Sequence, residues 1–489
     1  MDTLSQQYAI LIGASALLWW LLKSPAARGL IAFAGGTAFF AAPLWQKLDQ
    51  PLEQRALPLA MFLAAGIVTV WGVRTVAGAP AASRARKATI PIVLLTAALV
   101  VWKAGAAPWW PKDIAPITRY GVPLGLSYYI LRAIAAIVET SRGTLKEATL
   151  VETAGFLGFA PILSTGPIER ASAFLGQSRK PAPLAAVPGF AAESASRIIE
   201  GLFKTLILGE TLSRFARPFI SPGTPTAVTA GVAPDELWRA LYCYSLYLYV
   251  NFSGATDLAV GTARLFGLRI AENFDLPYAR PNLSEFWRGW HMSLSTWLRD
   301  FLFFPLGRRL PRDAAPIIAP LLVMGICGLW HGVTIPFLVW GLLHGAGLAI
   351  HQLWLRARRA NAVVDRAAGN VIGRTIFTVL TAHFVAFTWI FFTAPTLEAA
   401  FANIRSMAAY ADNAGKTIGI ACAVLAAWSF IPGIRDALRR KAASTPETVG
   451  SLMASLWRVH VDVVLALLVL AFLFLSKTRP EGAFVYQGF

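Results

Sequence analysis

The sequence is poor in cysteine, in acidic residues and in charge altogether. Its three cysteines, Cys243, Cys327 and Cys422, stand singly inside apolar stretches without CxxC spacing, a pattern that builds neither a disulfide framework nor a thiolate metal site. Only 14% of the 489 residues are charged while 56% are hydrophobic, which excludes an ordinary water-soluble globule and places the chain in a membrane. Acidic residues number 26 against 44 basic ones, a net charge of +18, yet the basic residues are scattered through short connections and form no nucleic-acid-binding domain. There is no HExxH pair, Cys/His cluster or close carboxylate pair for a catalytic metal, no Walker-type glycine loop and no G-x-S-x-G elbow. What remains for chemistry is a small set of histidines.

What is abundant is apolar sequence. Stretches long enough to cross a hydrocarbon core of roughly 30 Å recur at 8–22, 29–45, 57–73, 88–102, 236–254, 375–394 and 460–475. They predict one all-α polytopic domain over 1–475 and a short tail over 476–489. The first stretch follows Met-Asp-Thr-Leu-Ser, acidic where a secretory signal carries Lys or Arg, and is expected to be retained as a helix. Positive charge gathers in connections 74–87, 280–312, 356–374 and 435–441, which the positive-inside rule places in the cytoplasm. Connections 46–56, 218–235 and 395–415 then face the other side, and both termini are extracytoplasmic. Segments 149–168 and 316–334 are peppered with Gly and Pro and are expected to be incomplete crossings. Irregular backbone at membrane depth survives only in protein or beside a watery cavity, so these two segments are candidate walls of a central site.

Residues 282–301 open with Asn-x-x-Glu, a helix-start pattern, and carry aromatics at spacings of three and four. The spacing predicts one cytoplasmic amphipathic helix lying at the interface, with Ser284, Arg288, His291, Ser295 and Arg299 on its polar stripe. His291 there reads equally as one more residue on a solvated face. His331 is different. It stands in Met324-Gly-Ile-Cys-Gly-Leu-Trp-His-Gly-Val-Thr334, where hydrophobicity favours an aliphatic side chain. An ionisable group at membrane depth is a functional candidate, and desolvation keeps an imidazole neutral and able to accept a proton. His344, His351, His383 and His460 read as structural.

Several motifs together resemble the membrane-bound O-acyltransferase family, in the bacterial branch of alginate O-acetylation and D-alanyl transfer proteins. They are Gly125-Leu-Ser-Tyr-Tyr129, Thr165-Gly-Pro-Ile-Glu-Arg170, Asn251-Phe-Ser-Gly-Ala-Thr-Asp257, Glu272-Asn-Phe-Asp-Leu-Pro-Tyr278, Glu285 to Asp300, Gly328-Leu-Trp-His-Gly332 and Trp340-Gly-Leu-Leu-His-Gly345. The motif core runs over 120–355. Two departures are Asn251, where relatives often have Asp, and Gly289, where a second Arg is common.

The resemblance implies about 10–12 transmembrane helices with re-entrant and interfacial helices around a central tunnel. It also implies O-acylation of an extracytoplasmic polysaccharide at a bacterial inner membrane. His331 matches the family's invariant histidine, as general base, and His291 its second histidine. Trp290, Arg288, Ser295, Arg299, Asn251 and Trp330 fall on the expected substrate path. Acetyl-CoA would be the donor, with no bound cofactor and no metal. An extracytoplasmic SGNH-type partner would complete transfer to the acceptor. The ending Phe484-Val-Tyr-Gln-Gly-Phe489 resembles an alginate-type tail whose tyrosine, here Tyr486, relays the acyl group. Other readings are D-alanyl or other acyl transfer to a cell-wall polymer, and a transporter of polysaccharide or lipid-linked sugar. For the transporter the internal repeat is missing. A membrane glycosyltransferase is a third class, but the external loops offer only isolated acids.

Overall fold

The structure, a computed structural model, describes residues 6–46, 48–105, 125–145, 147–180, 187–220, 234–408, 411–434 and 461, 463–465, 467 and 468. Among these the secondary structure is entirely helical. Six helices among the described residues are long and apolar enough to cross a membrane: Pro25–Trp45, Leu52–Ala77, Ala81–Gly105, Ile335–Ala360, Val371–Thr393 and Gly415–Ile434. Their outward faces carry bare aliphatic side chains, with Ile67, Ile350, Ile372 and Ile420 each more than 60% exposed. Water would penalise such surfaces and lipid would not. This is a multi-pass membrane protein. The tail 476–489, the connection 435–441 and most of the stretch 460–475 lie outside the described residues.

The chain forms two compact units. The first holds residues up to 201 together with 255–272. Its core is aromatic: Phe40 stacks on Phe62 at 4.8 Å, and the Tyr129 hydroxyl donates to the Phe62 carbonyl at 3.1 Å. The expected incomplete crossing at 149–168 is the nine-residue helix Leu150–Gly158, a 3-10 turn Ala160–Ile162 and then irregular chain. Nine residues rise only about 13 Å, too little to span. Thr149 and Glu152 form a reciprocal cap at its start, and Arg179 clamps Glu152 at 2.6 Å.

Acidic residues of three motifs are spent on structure in this unit. Glu169 accepts the Ala271 amide at 2.7 Å, and Arg197 pairs with both Asp257 (2.8 Å) and Glu272 (2.7 Å).

The second unit, 202–254 with 273–485, contains both histidines of interest. Its centre is a hairpin of Ala315–His331 and Ile335–Ala360, joined by a three-residue turn. The first arm rises about 25 Å over its 17 residues, short of a full core. The arms touch backbone to backbone because the contact positions are glycines. A methyl group at Gly328 or Gly341 would land on the Phe337 or Met324 carbonyl. The incomplete crossing expected at 316–334 is thus the first arm of a close-packed hairpin with His331 at its tip.

Candidate active site

His331 is the last residue of its helix, and the chain turns immediately through Gly332, whose amide still bonds Gly328 O at 3.2 Å. The imidazole is 4% exposed inside an aromatic cage. Trp330 lies at 4.7 Å, Phe392 at 5.0 Å, Trp340 at 5.2 Å and perpendicular, and Phe337 at 6.2 Å and nearly parallel. Trp340 is itself fully buried, and its indole N–H has no acceptor among the described residues.

His291 arrives from elsewhere in the same unit. Residues 282–301 do not form the one helix that their periodicity predicts. They form two short helices, Leu283–Gly289 and Met292–Leu298, followed by a wide π-type turn over Arg299–Phe303. The break is at His291, whose φ of 41° is left-handed. A bulky residue adopts that conformation at a cost of about 1–3 kcal/mol and only where its surroundings compel it.

The compulsion comes from the 273–275 segment, which runs beside the break. Asp275 N donates to Gly289 O (2.9 Å) and Met292 N donates to Asn273 O (3.0 Å). A side chain at Gly289 would collide with the Asp275 carbonyl at 2.6 Å, which accounts for glycine at that position here.

The turn rotates the second short helix out of register with the first, so His291 leaves the polar stripe and is 1% exposed. The solvated-face reading of His291 is therefore wrong. Its ring stands edge-on to Phe252 at 4.8 Å, and its Nδ1 lies 3.3 Å from Asn273 Oδ1. Burial pushes this imidazole down to about 3, so it is neutral at physiological pH. The His291 ring is 6.5 Å from Trp330, the indole that also packs on His331. The two histidines thus flank one tryptophan.

The other expected site residues divide. Trp290 is buried, stacked on Phe286 (5.6 Å) and tilted against Trp389 (5.3 Å), where it supports the site. Ser295 is taken up locally, its hydroxyl donating to Trp290 O at 3.0 Å. Arg288 and Arg299 are exposed, the latter bonded to Asp300 at 2.8 Å. Asn251 is buried but faces Gly209, and its neighbour Phe252 is the residue that meets His291. Tyr486 lies outside the described residues.

His344 has both ring nitrogens occupied. Trp287 Nε1 donates to its Nδ1 (3.3 Å) and Nε2 faces Thr388 Oγ1 (3.0 Å), a structural bridge. Among the described residues no group of three or more His, Cys, Asp or Glu is placed to hold a metal.

Sequence reasoning assigned no role to Asn273, Phe252, Trp340 or Phe392. Asn273 was within reach, since it belongs to a quoted motif. Phe392 had no local signal, being one apolar residue among many.

The model of the membrane-bound O-acyltransferase family matches residues 113–394. That span contains every described residue of this site. Over 399 residues the chain is 30% identical to a probable alginate O-acetylase AlgI from Azotobacter vinelandii, covering 79% of this chain and 73% of that one. It is 31% identical to a teichoic acid D-alanyltransferase from Streptococcus thermophilus, over 48% of this chain and 58% of the relative. It is also 31% identical to a peptidoglycan O-acetyltransferase from Helicobacter pylori, over 42% of this chain and 37% of the relative.

Proposed function

This chain belongs to the membrane-bound O-acyltransferase family and is an O-acyltransferase, and we propose that it moves acetyl from cytoplasmic acetyl-CoA toward a hydroxyl of an extracytoplasmic polysaccharide. The observation that carries the reading is the pair of buried histidines, delivered by a hairpin tip and a broken helix to either side of Trp330.

In this reading His331 takes the proton of the acceptor hydroxyl as that oxygen attacks the thioester carbonyl. The tetrahedral intermediate collapses, the C–S bond breaks and CoA leaves as the thiolate. His291 holds the reacting groups in place. A phenol is a far weaker acid than an imidazolium, about 10 against 6.5 in pKa, so proton transfer runs together with attack.

Tyr486 is the first acceptor in this scheme. Thiol, phenol and alkanol are successively poorer leaving groups, so thioester, aryl ester and sugar ester follow one another downhill. An extracytoplasmic SGNH-type partner completes the second transfer. Both termini face outward, and Arg288 and Arg299 draw the CoA phosphates from the cytoplasmic side of an inner membrane.

The test is purified protein given acetyl-CoA labelled in its acetyl group. Release of CoA with label appearing on the chain or on an added acceptor is expected. His331→Ala should stay inserted and lose this activity, and full turnover in that variant would remove the proposal. Turnover of a D-alanyl thioester but not of acetyl-CoA would move the chain to the function named for its Streptococcus relative.

A further inference from the structure

We propose that Asn273 is a positioning residue that locks His291 in the Nδ1–H tautomer, so that Nε2 presents a lone pair and His291 accepts a hydrogen bond during acyl transfer. The inference rests on the function proposed above and assigns the second histidine a definite direction.

The tautomer follows from three contacts to one oxygen. Asn273 Oδ1 lies 3.3 Å from His291 Nδ1, 3.3 Å from the Ser293 amide nitrogen and 2.6 Å from Ser293 Oγ. An amide side chain can be rotated end for end, exchanging O and N, but the Ser293 backbone N–H can only donate. The atom facing it is therefore the carbonyl oxygen. That oxygen carries no hydrogen, so His291 Nδ1 must supply one. In the neutral ring, Nε2 is then the unprotonated nitrogen, and the imidazole is neutral because it is buried.

Asn273 also holds the ring in place. Its backbone carbonyl accepts from Met292 N at 3.0 Å while its side chain accepts from Ser293 N. Together these cap the helix Met292–Leu298, which His291, in its left-handed conformation, does not cap with its own side chain. Asn273 is fully buried, so water does not compete for these bonds. The arrangement is that of a histidine whose far nitrogen is fixed by a carbonyl or carboxylate, a device that sets which nitrogen is basic.

The consequence is chemical. A neutral Nε2 lone pair cannot donate to the carbonyl oxygen of the thioester. It can accept a hydrogen bond from the incoming hydroxyl and so seat it, and the O–H then turns to His331, which takes its one proton as the oxygen attacks. Stabilisation of the developing oxyanion then falls to another donor.

The test combines spectroscopy with kinetics on the full chain in detergent. Nitrogen NMR of histidine-labelled protein, with the His291 signals assigned by their loss in His291→Gln, should show protonated Nδ1 and unprotonated Nε2. An Nε2–H tautomer in the unsubstituted protein overturns the proposal whether or not acyl transfer is detected, so its failure is separate from failure of the proposed function. Asn273→Leu, which removes the acceptor, should change that pattern and lower kcat about 100-fold with the KM for acetyl-CoA within about twofold. Asn273→Asp, which keeps an acceptor at the same place, should restore the Nδ1–H signature and most of the rate. Ser293→Ala, which spares the His291 contact, should leave the tautomer unchanged. Equal loss in Asn273→Asp and Asn273→Leu, with the Nδ1–H signature intact in both, would mean that Asn273 only caps the helix.

Discussion

Two glycines one turn apart on the His331 helix should respond in opposite ways to the same added methyl group. At Gly325 a methyl would meet only the side-chain carbons of Leu342 at 3.5 Å and Leu338 at 3.7 Å, ordinary contact. Gly325→Ala should therefore be neutral, or gain up to about 1 kcal/mol from better helix propensity. At Gly328 the methyl would fall on the Phe337 carbonyl oxygen, with the carbonyl carbon at 3.0 Å and Gly341 Cα at 3.3 Å. Backbone on both sides leaves nothing flexible to give way. Restoring a normal carbon to oxygen separation of about 3.3 Å parts the two arms by roughly 1 Å, at an overpacking cost of about 1–3 kcal/mol. His331 is three residues on, so it moves with the arm. A misplacement of that size reduces a reaction held in near-attack geometry by about 100-fold. The assay is acetyl release from labelled acetyl-CoA by each variant in detergent, with insertion and unfolding temperature recorded alongside. Equal activity in Gly325→Ala and Gly328→Ala would refute the claim that this close approach sets the position of His331.

Because burial holds the His291 imidazole at about 3, below its unfolded value of 6.5, the unfolded chain binds more protons between these pH values. Stability from this group is full above about 6.5 and is lost as pH falls, by roughly 2 kcal/mol between pH 7 and 5; the drop in unfolding temperature over that range should be smaller in His291→Gln. Arg288 is exposed, so in the proposed reaction it would act on the donor through long-range attraction: Arg288→Glu should raise the KM for acetyl-CoA several-fold at low salt with little change in kcat, and the difference should shrink as salt rises. Tyr486→Phe should abolish transfer to polysaccharide, and a normal rate in that variant would mean that the tail only docks.

The helices were legible because lipid imposes a simple rule: long apolar runs with every backbone bond satisfied inside the run. Pro25–Trp45, Leu52–Ala77, Ala81–Gly105 and Val371–Thr393 all overlap stretches that hydropathy marks, whereas the glycines and prolines of 316–334 pointed to irregular backbone where the chain forms a continuous helix, Ala315–His331, and a three-residue turn, its Gly328 serving the close contact with the second arm. Residues 282–301 misled because periodicity sees only neighbours. Their break is imposed by Asn273 and Asp275, which lie outside any window centred on the helix. The burial of His291 follows from that break, so no reading of the stripe alone could have found it. The aromatic cage of His331 was hidden for a related reason: Trp340 and Phe392 come from two other helices, and only the fold brings them to 5.2 and 5.0 Å.

The two histidines also differ in the fields they occupy, and the difference argues for a division of labour. His331 ends a 17-residue helix, where the aligned peptide dipoles present their negative end. An imidazolium formed there for the lifetime of a proton transfer is favoured by that end, while the aromatic cage keeps water from competing for it. His291 precedes a helix instead of ending one, and its Nδ1 is tied to a neutral carbonyl, not to a carboxylate. Nothing in those contacts favours a cation at His291. The electrostatics therefore suit His331 to carry the proton and His291 to remain neutral, seating the incoming hydroxyl before its O–H turns to His331. A carboxylate at position 273 would blur this division, which is why the Asn273→Asp variant should keep the geometry of the site while bringing the second histidine closer to being a base in its own right.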